Sequence, residues 1–213
     1  MRHKKKLGAL AAIVLVPIAA HLAIEHAVRF DAPAVTAPSL RMEEKDGIRR
    51  AGRGWSIVRG VRVVSLAGSP EELGAEHTAL LRDRMEADER VLWDGFSDVV
   101  PFSPARAVLF DVARLEYRHV DEGFPDDRRR ELAAEAASFT PDPYAKHMPT
   151  YPRMVFLHAL YDIALGFEHS PLLACTSFGL RTEETQDGHV LFGRNFDFEA
   201  ADVFDRDKVV FLV

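Results

Sequence analysis

Ala174-Cys175-Thr176-Ser177-Phe178 and Gly193-Arg194-Asn195-Phe196-Asp197-Phe198 are the stretches whose reading decides the fold. Both are rich in aromatic and small residues, and Asp187-Gly188 between them is a strong hairpin signal. The spacing predicts a strand from Cys175 to Arg181, its antiparallel partner from His189 to Phe198, and a further strand from Lys208 to Val213. A helix-rich region leads into this strand-rich one, which is the order of an α+β protein.

Working back from Cys175, the segment Pro152 to Leu165 is apolar nearly all round and is followed by Gly166, so it reads as one buried helix with a glycine C-cap. Asp126 to Phe139 reads as a charged helix, with Arg128, Arg129 and Arg130 forming a solvated face that a membrane-anchored protein can turn to anionic lipid. Ser103-Pro104 opens a helix expected to bury Val108, Leu109, Val112 and Leu115. Ser69-Pro70-Glu71-Glu72 is a capping box with proline at the first helical position, and Leu73, His77, Leu80, Leu81 and Met85 recur on one face behind it. Trp55, Ile57, Val61, Val63 and Leu66 form a β-like pattern around an Arg59-Gly60 turn. Trp55 and Trp93 are expected in the core.

The N-terminus carries Arg2, Lys4, Lys5 and Lys6 ahead of an apolar run from Leu7 to Ile24. A basic flank before an apolar stretch marks a signal peptide or signal anchor, here residues 1–30, with the remainder facing the periplasm or the outside. Residues 31–50, with Pro33 and Pro38, read as a stiff linker. Residues 51–174 form a mostly helical unit and 175–213 begin the β-sheet unit. The chain stops at Val213 inside an apolar run, which reads as a truncated protein.

With 47% hydrophobic and 28% charged residues the chain is an ordinary folded protein, and a net charge of -6 with mixed signs gives no nucleic-acid footprint. Its one cysteine rules out an internal disulfide framework and any multi-thiolate zinc site. His158 and Asp162, four apart on a helix, read as a local polar pair, and His77 as a packing residue. Neither reading calls for a metal or other cofactor.

Cys175 is the candidate nucleophile. A thiolate attacks carbonyl carbon, and a cation such as Arg194 lowers a thiol pKa. Once the Ala174–Cys175 bond is broken, the new α-amine, with a pKa near ~8, serves as the base for its own thiol. Asp197 is placed to orient that amine. Arg194 and Asp197 are an odd number of residues apart, so both reach Cys175 only if the strand ends or bulges near Asn195. Thr176 and Ser177 have no histidine or lysine placed by sequence to activate them.

Cys-Thr-Ser at 175–177 with Gly-Arg-Asn-Phe-Asp at 193–197 resembles the cysteine branch of the N-terminal-nucleophile hydrolases, which includes acid ceramidase, bile salt hydrolases and isopenicillin N acyltransferase. Leu66 to Gly74 followed by His77 is similar to the propeptide start of the acyltransferase group. The resemblance implies a four-layer αββα sandwich, cleavage before Cys175, and catalytic roles for Cys175, Arg194 and Asp197. It also implies a small-molecule or lipid amide substrate, with either water or an amine as acyl acceptor. The family's oxyanion-hole asparagines would lie beyond Val213, so residues 1–213 alone are expected to be inactive or nearly so; the alternative from another class is a catalytically dead relative or fragment that acts as a membrane-anchored binding module.

Overall fold

The computed structural model describes residues 2–28, 31–165, 173–198 and 208–213; of residues 2–14, 161, 164–165, 173–176 and 195–198 it describes the backbone alone. In chain order the elements are α1 (Arg2–Ala27), β1 (Glu43–Lys45), β2 (Ile48–Ala51), β3 (Gly54–Arg59), β4 (Val61–Ser65), α2 (Pro70–Val99) and α3 (Ser103–Glu116). They are followed by α4 (Asp126–Ser138), α5 (Thr150–His158), α6 (Leu160–Leu165), β5 (Leu173–Leu180), β6 (Leu191–Phe198) and β7 (Val209–Leu212). The protein is mixed α+β. One sheet has the order β1-β2-β3-β4-β7, and β5 and β6 form a separate two-stranded ribbon.

β1 to β4 form an antiparallel meander, and β7 joins β4 in parallel. Part of this meander lies inside the segment read as a linker. Asp46-Gly47 closes β1 on β2 with both residues at positive φ, 53° and 74°, the conformation that favours Asp-Gly in a two-residue hairpin. The Arg59-Gly60 turn stands where expected.

The sheet's buried face is the reverse of the one its apolar pattern indicates. Gly54, Ser56 and Val64 are buried under α2, whereas Trp55 and Ile57 are half-buried and Val61 is exposed on the far face. The cause is the helix. Small residues on β3 let α2 lie close, and the buried carboxylate of Glu76 accepts hydrogen bonds from the backbone N–H of Arg53 at 2.7 Å and of Ala67 at 3.0 Å. Two loop donors are thereby satisfied in part-buried bonds to a charged acceptor, a class worth roughly 1.5–3 kcal/mol each when fully formed. Val64, Leu66, Leu80, Leu81 and Ala51 fill the space between helix and sheet.

α2 starts with the expected capping box: the Glu72 N–H donates to Ser69 Oγ at 3.3 Å, and the Ser69 N–H donates to Glu72 Oε2 at 2.8 Å. α4 packs along it. At their crossing a Cβ on Gly74 would stand 2.1 Å from the Glu131 carbonyl oxygen and 2.8 Å from the Glu135 nitrogen, so only glycine permits this approach. Thr78 Oγ1 reaches from α2 to the Glu135 carbonyl at 3.2 Å. The arginine run is committed to ion pairs instead of forming a free solvated face. Arg130 holds Glu71 on α2 at 2.6 Å, Arg129 meets Asp121, and Arg128 pairs with Glu131.

The segment expected as one helix from Pro152 to Leu165 is two, α5 and α6, separated at Ala159; Gly166 lies outside the described residues. Its burial is uneven, with Arg153, Met154 and Val155 fully enclosed and Asp162 exposed. α3 departs further. Val108, Leu109, Val112 and Leu115 are 41–59% exposed, and Asp111 and Arg114 are the buried residues. Asp111 meets His21 of α1 at 2.7 Å, so α3 turns a polar seam towards α1. No helix among the described residues is long and apolar enough to cross a membrane, and the side chains of the first half of the Leu7–Ile24 run are outside them.

Gly74→Ala is expected to lower stability by about 1–3 kcal/mol in chemical denaturation, because the added methyl group meets backbone and not a movable side chain. An unchanged denaturation midpoint would show that α2 and α4 are free to separate.

Candidate functional site

The hairpin signal at Asp187-Gly188 is answered by an antiparallel ribbon in continuous register from Leu173↔Phe198 to Leu180↔Leu191. It brings the two motifs side by side: Ala174 faces Asp197, Cys175 faces Phe196, Thr176 faces Asn195 and Ser177 faces Arg194. Residues directly opposite share a face, and residues two apart on one strand share it too. Cys175 and Arg194 therefore occupy one face of the ribbon. Asp197 occupies the other, directly across from Ala174, the residue before the expected scissile bond. The strand neither ends nor bulges at Asn195, so the condition for Arg194 and Asp197 to meet on one face is not fulfilled. Arg194 is exposed, and the side chains of Cys175 and Asp197 lie outside the described residues.

A second cluster, in the helical body, was not legible as a site. His77 on α2, Glu135 on α4 and His158 at the end of α5 present one ligand atom each, all within 4.8 Å of one another. His77 Nδ1 lies 3.0 Å and His158 Nε2 3.8 Å from Glu135 Oε2. Glu135 is 1% exposed. His158 Nδ1 donates to the Met154 carbonyl at 2.9 Å, because a carbonyl oxygen can only accept. That bond leaves Nε2 turned towards Glu135.

The electrostatics of this cluster are those of a buried ion pair. Burial pulls His77 down, but the Glu135 charge and hydrogen bond outweigh it and hold the imidazole above its ordinary range. Burial pushes Glu135 up, and the charges of His77 and His158 more than reverse this, so its carboxyl is held low. Phe211 of β7 stands edge-on to His77 with ring centroids 5.4 Å apart, covering it from the sheet. A cavity of about 200 Å³ opens beside the cluster, lined by Asp88, Glu89, Met154 and Leu157 as well as by the three residues themselves.

Below this cavity lies a buried charge network. Arg153 Nη2 donates to both carboxylate oxygens of Asp142 at 2.8 Å, its Nη1 donates to the Met148 carbonyl, and its Nε lies 2.7 Å from Glu89 Oε1. Glu89 also accepts from the Trp93 indole at 3.0 Å. Burial pushes Glu89 up despite those contacts. Burial also acts on Asp142, but donors from Thr150, Arg153 and the Tyr144 backbone prevail and hold its carboxyl low. Beyond the network a cleft of about 320 Å³ runs between α2, α3 and α5, lined by Trp93, Phe96, Leu109, Phe110 and Phe156. Trp93 is half-buried there and stacks on His147 at 4.2 Å.

Comparison with known proteins finds no family model, no curated protein and no solved structure that matches the chain.

The two carboxylates around Arg153 should behave oppositely. Asp142, depressed in the folded state, contributes stability that is present above the unfolded value of about 3.9 and is lost as pH falls through the folded value below it. Glu89, raised in the folded state, takes up its proton more readily when folded and so favours folding as pH falls. Asp142→Asn is expected to cost about 2–4 kcal/mol at neutral pH and to weaken the acid limb of the stability profile. Glu89→Gln should stay within about 1 kcal/mol of the parent, since Gln keeps the Trp93 bond and Arg153 keeps Asp142. Denaturation midpoints measured between pH 3 and 8 on the three proteins test this, and equal costs for the two variants would refute the assignment.

Proposed function

We propose that the chain carries the nucleophile of an autoproteolytic cysteine amidohydrolase acting on a linear or lipid amide. The observation that supports it most is the register of β5 and β6, which sets Cys175 on a face with Arg194 and sets Asp197 across from Ala174. In the maturation step the Cys175 thiolate attacks the Ala174 carbonyl carbon. The C–N bond breaks, the amine takes a proton, and Ala174 is held as a thioester that water then hydrolyses. In turnover the freed α-amine takes the thiol proton, the thiolate attacks the substrate amide, and the proton passes to the departing amine. Water releases the acid. Arg194 supplies the positive charge that favours thiolate on its own face. Asp197, on the opposite face, serves the backbone amine that appears next to its cross-strand partner, and not the sulfur.

Three further features are in keeping with this reading. The far face of the five-stranded sheet presents Ile48, Trp55, Ile57 and Val63 half-buried, a surface suited to the second sheet of a four-layer αββα sandwich. The apolar cleft beside Trp93 has the size and lining that an acyl chain requires. The basic residues ahead of the Leu7–Ile24 run suit an exported protein tethered to a membrane through α1.

Intact-mass measurement on the full-length gene product tests the reading. The expected outcome is a pair of fragments meeting at Ala174–Cys175, absent in Cys175→Ala, with a thiol-reactive acyl probe labelling the new N-terminus. An unbroken Ala174–Cys175 bond together with an unlabelled Cys175 would defeat it. Product analysis with and without an added amine then divides hydrolysis from acyl transfer.

A further inference from the structure

We infer that His77, Glu135 and His158 form a binding site for a divalent cation of the zinc class, independent of the chemistry at Cys175. The three residues come from three different elements, and their ligand atoms converge to within 4.8 Å. Ligand atoms around a tetrahedral zinc, bound at about 2.0–2.2 Å, lie roughly 3.3 Å apart. The two separations from Glu135 Oε2, 3.0 Å to His77 Nδ1 and 3.8 Å to His158 Nε2, bracket that spacing. A cation among them draws the two imidazoles in from a set that spans up to 4.8 Å, with the His77 Nδ1 proton displaced as the metal takes its place.

Two observations separate this cluster from an ordinary buried ion pair. Glu135 Oε1 is buried and has no hydrogen-bond partner among the described residues, although the side chain is only 1% exposed. A carboxylate enclosed to this extent with one oxygen unsatisfied is costly unless a further group binds there. His158 is also pre-set as a ligand: donation from Nδ1 to the Met154 carbonyl fixes the tautomer that presents Nε2, the support that metal-bound histidines receive from a backbone carbonyl.

The donor set narrows the cation. Two imidazoles and one carboxylate suit zinc and its first-row neighbours, whereas calcium and magnesium require mostly oxygen ligands in larger number. Three protein ligands leave a fourth position, and the adjoining cavity of about 200 Å³ gives it room for water. The α2–α4 contact is made by Gly74, about one turn before His77, and by Thr78, directly after it, and both meet the backbone of Glu135 itself, so both of these ligands stand on a rigid helix pair.

The test uses the full chain, stripped with a chelator and then titrated with zinc chloride by calorimetry while thermal unfolding is followed in parallel. One equivalent of zinc is expected to bind and to raise the unfolding temperature, with magnesium producing neither effect. His158→Ala and Glu135→Gln should each weaken zinc binding by at least about 100-fold. Cobalt(II) added to the unaltered chain should give the visible absorption of a tetrahedral site, a readout that does not depend on any variant folding. Absence of stoichiometric zinc binding to the parent chain, or binding that His158→Ala and Glu135→Gln leave unchanged, would overturn the proposal. Cleavage at Ala174–Cys175 is a separate measurement, so either assignment can fail without the other.

Discussion

The approach of α2 to α4 at Gly74 is the constraint on which the helical body depends. With no side chain at that position the two backbones come within reach of each other, and everything that later joins the helices depends on that distance. Thr78 can then bond to the Glu135 carbonyl, Arg130 can close on Glu71, and His77 arrives beside the Glu135 carboxylate. The buried polar groups follow from the backbone spacing and do not create it. A glycine inside a helix, here in the second turn of α2, costs about 1 kcal/mol in propensity, which the close packing offsets.

Glu76 does for the sheet what Gly74 does for the helices. Its carboxylate replaces water for two loop N–H groups, at Arg53 and Ala67, and so pins the β2–β3 turn and the entry to α2 to the same helical turn. Within five positions one helix thus carries residues with different tasks: Gly74 for approach, Glu76 for the loops, His77 for the charge pair and Thr78 for the neighbouring backbone. α2 is the organising element of the described body.

Local signals in the sequence were reliable where the chemistry was local. The capping box at Ser69, the turn at Gly60 and the ribbon around Asp187-Gly188 depend on neighbouring residues, and all three stand where the pattern put them. The side a strand or helix presents is a tertiary matter, and there the apolar pattern misled. Ser56 is buried in place of Trp55 because a clamped helix needs a small residue beneath it. Val108 and Val112 face outwards because α3 turns Asp111 to His21. Asp46-Gly47 carried a legible hairpin signal, which the reading of residues 31–50 as a linker from Pro33 and Pro38 passed over. Within the candidate sites, the shared face of Cys175 and Arg194 follows from the register of one hairpin, whereas the convergence of His77 with Glu135 and His158 spans three elements and leaves no periodic trace.

The edges of the five-stranded sheet are unequal. β1 is three residues long, and Glu43, Glu44 and Lys45 are all exposed on it, so a passing strand would meet charge and find little backbone to pair with. β7, at the other edge, offers Val210, Phe211 and Leu212. Among the described residues, the sheet is therefore closed to further strand pairing at β1 by its composition, whereas β7 presents an apolar edge that a further strand can extend.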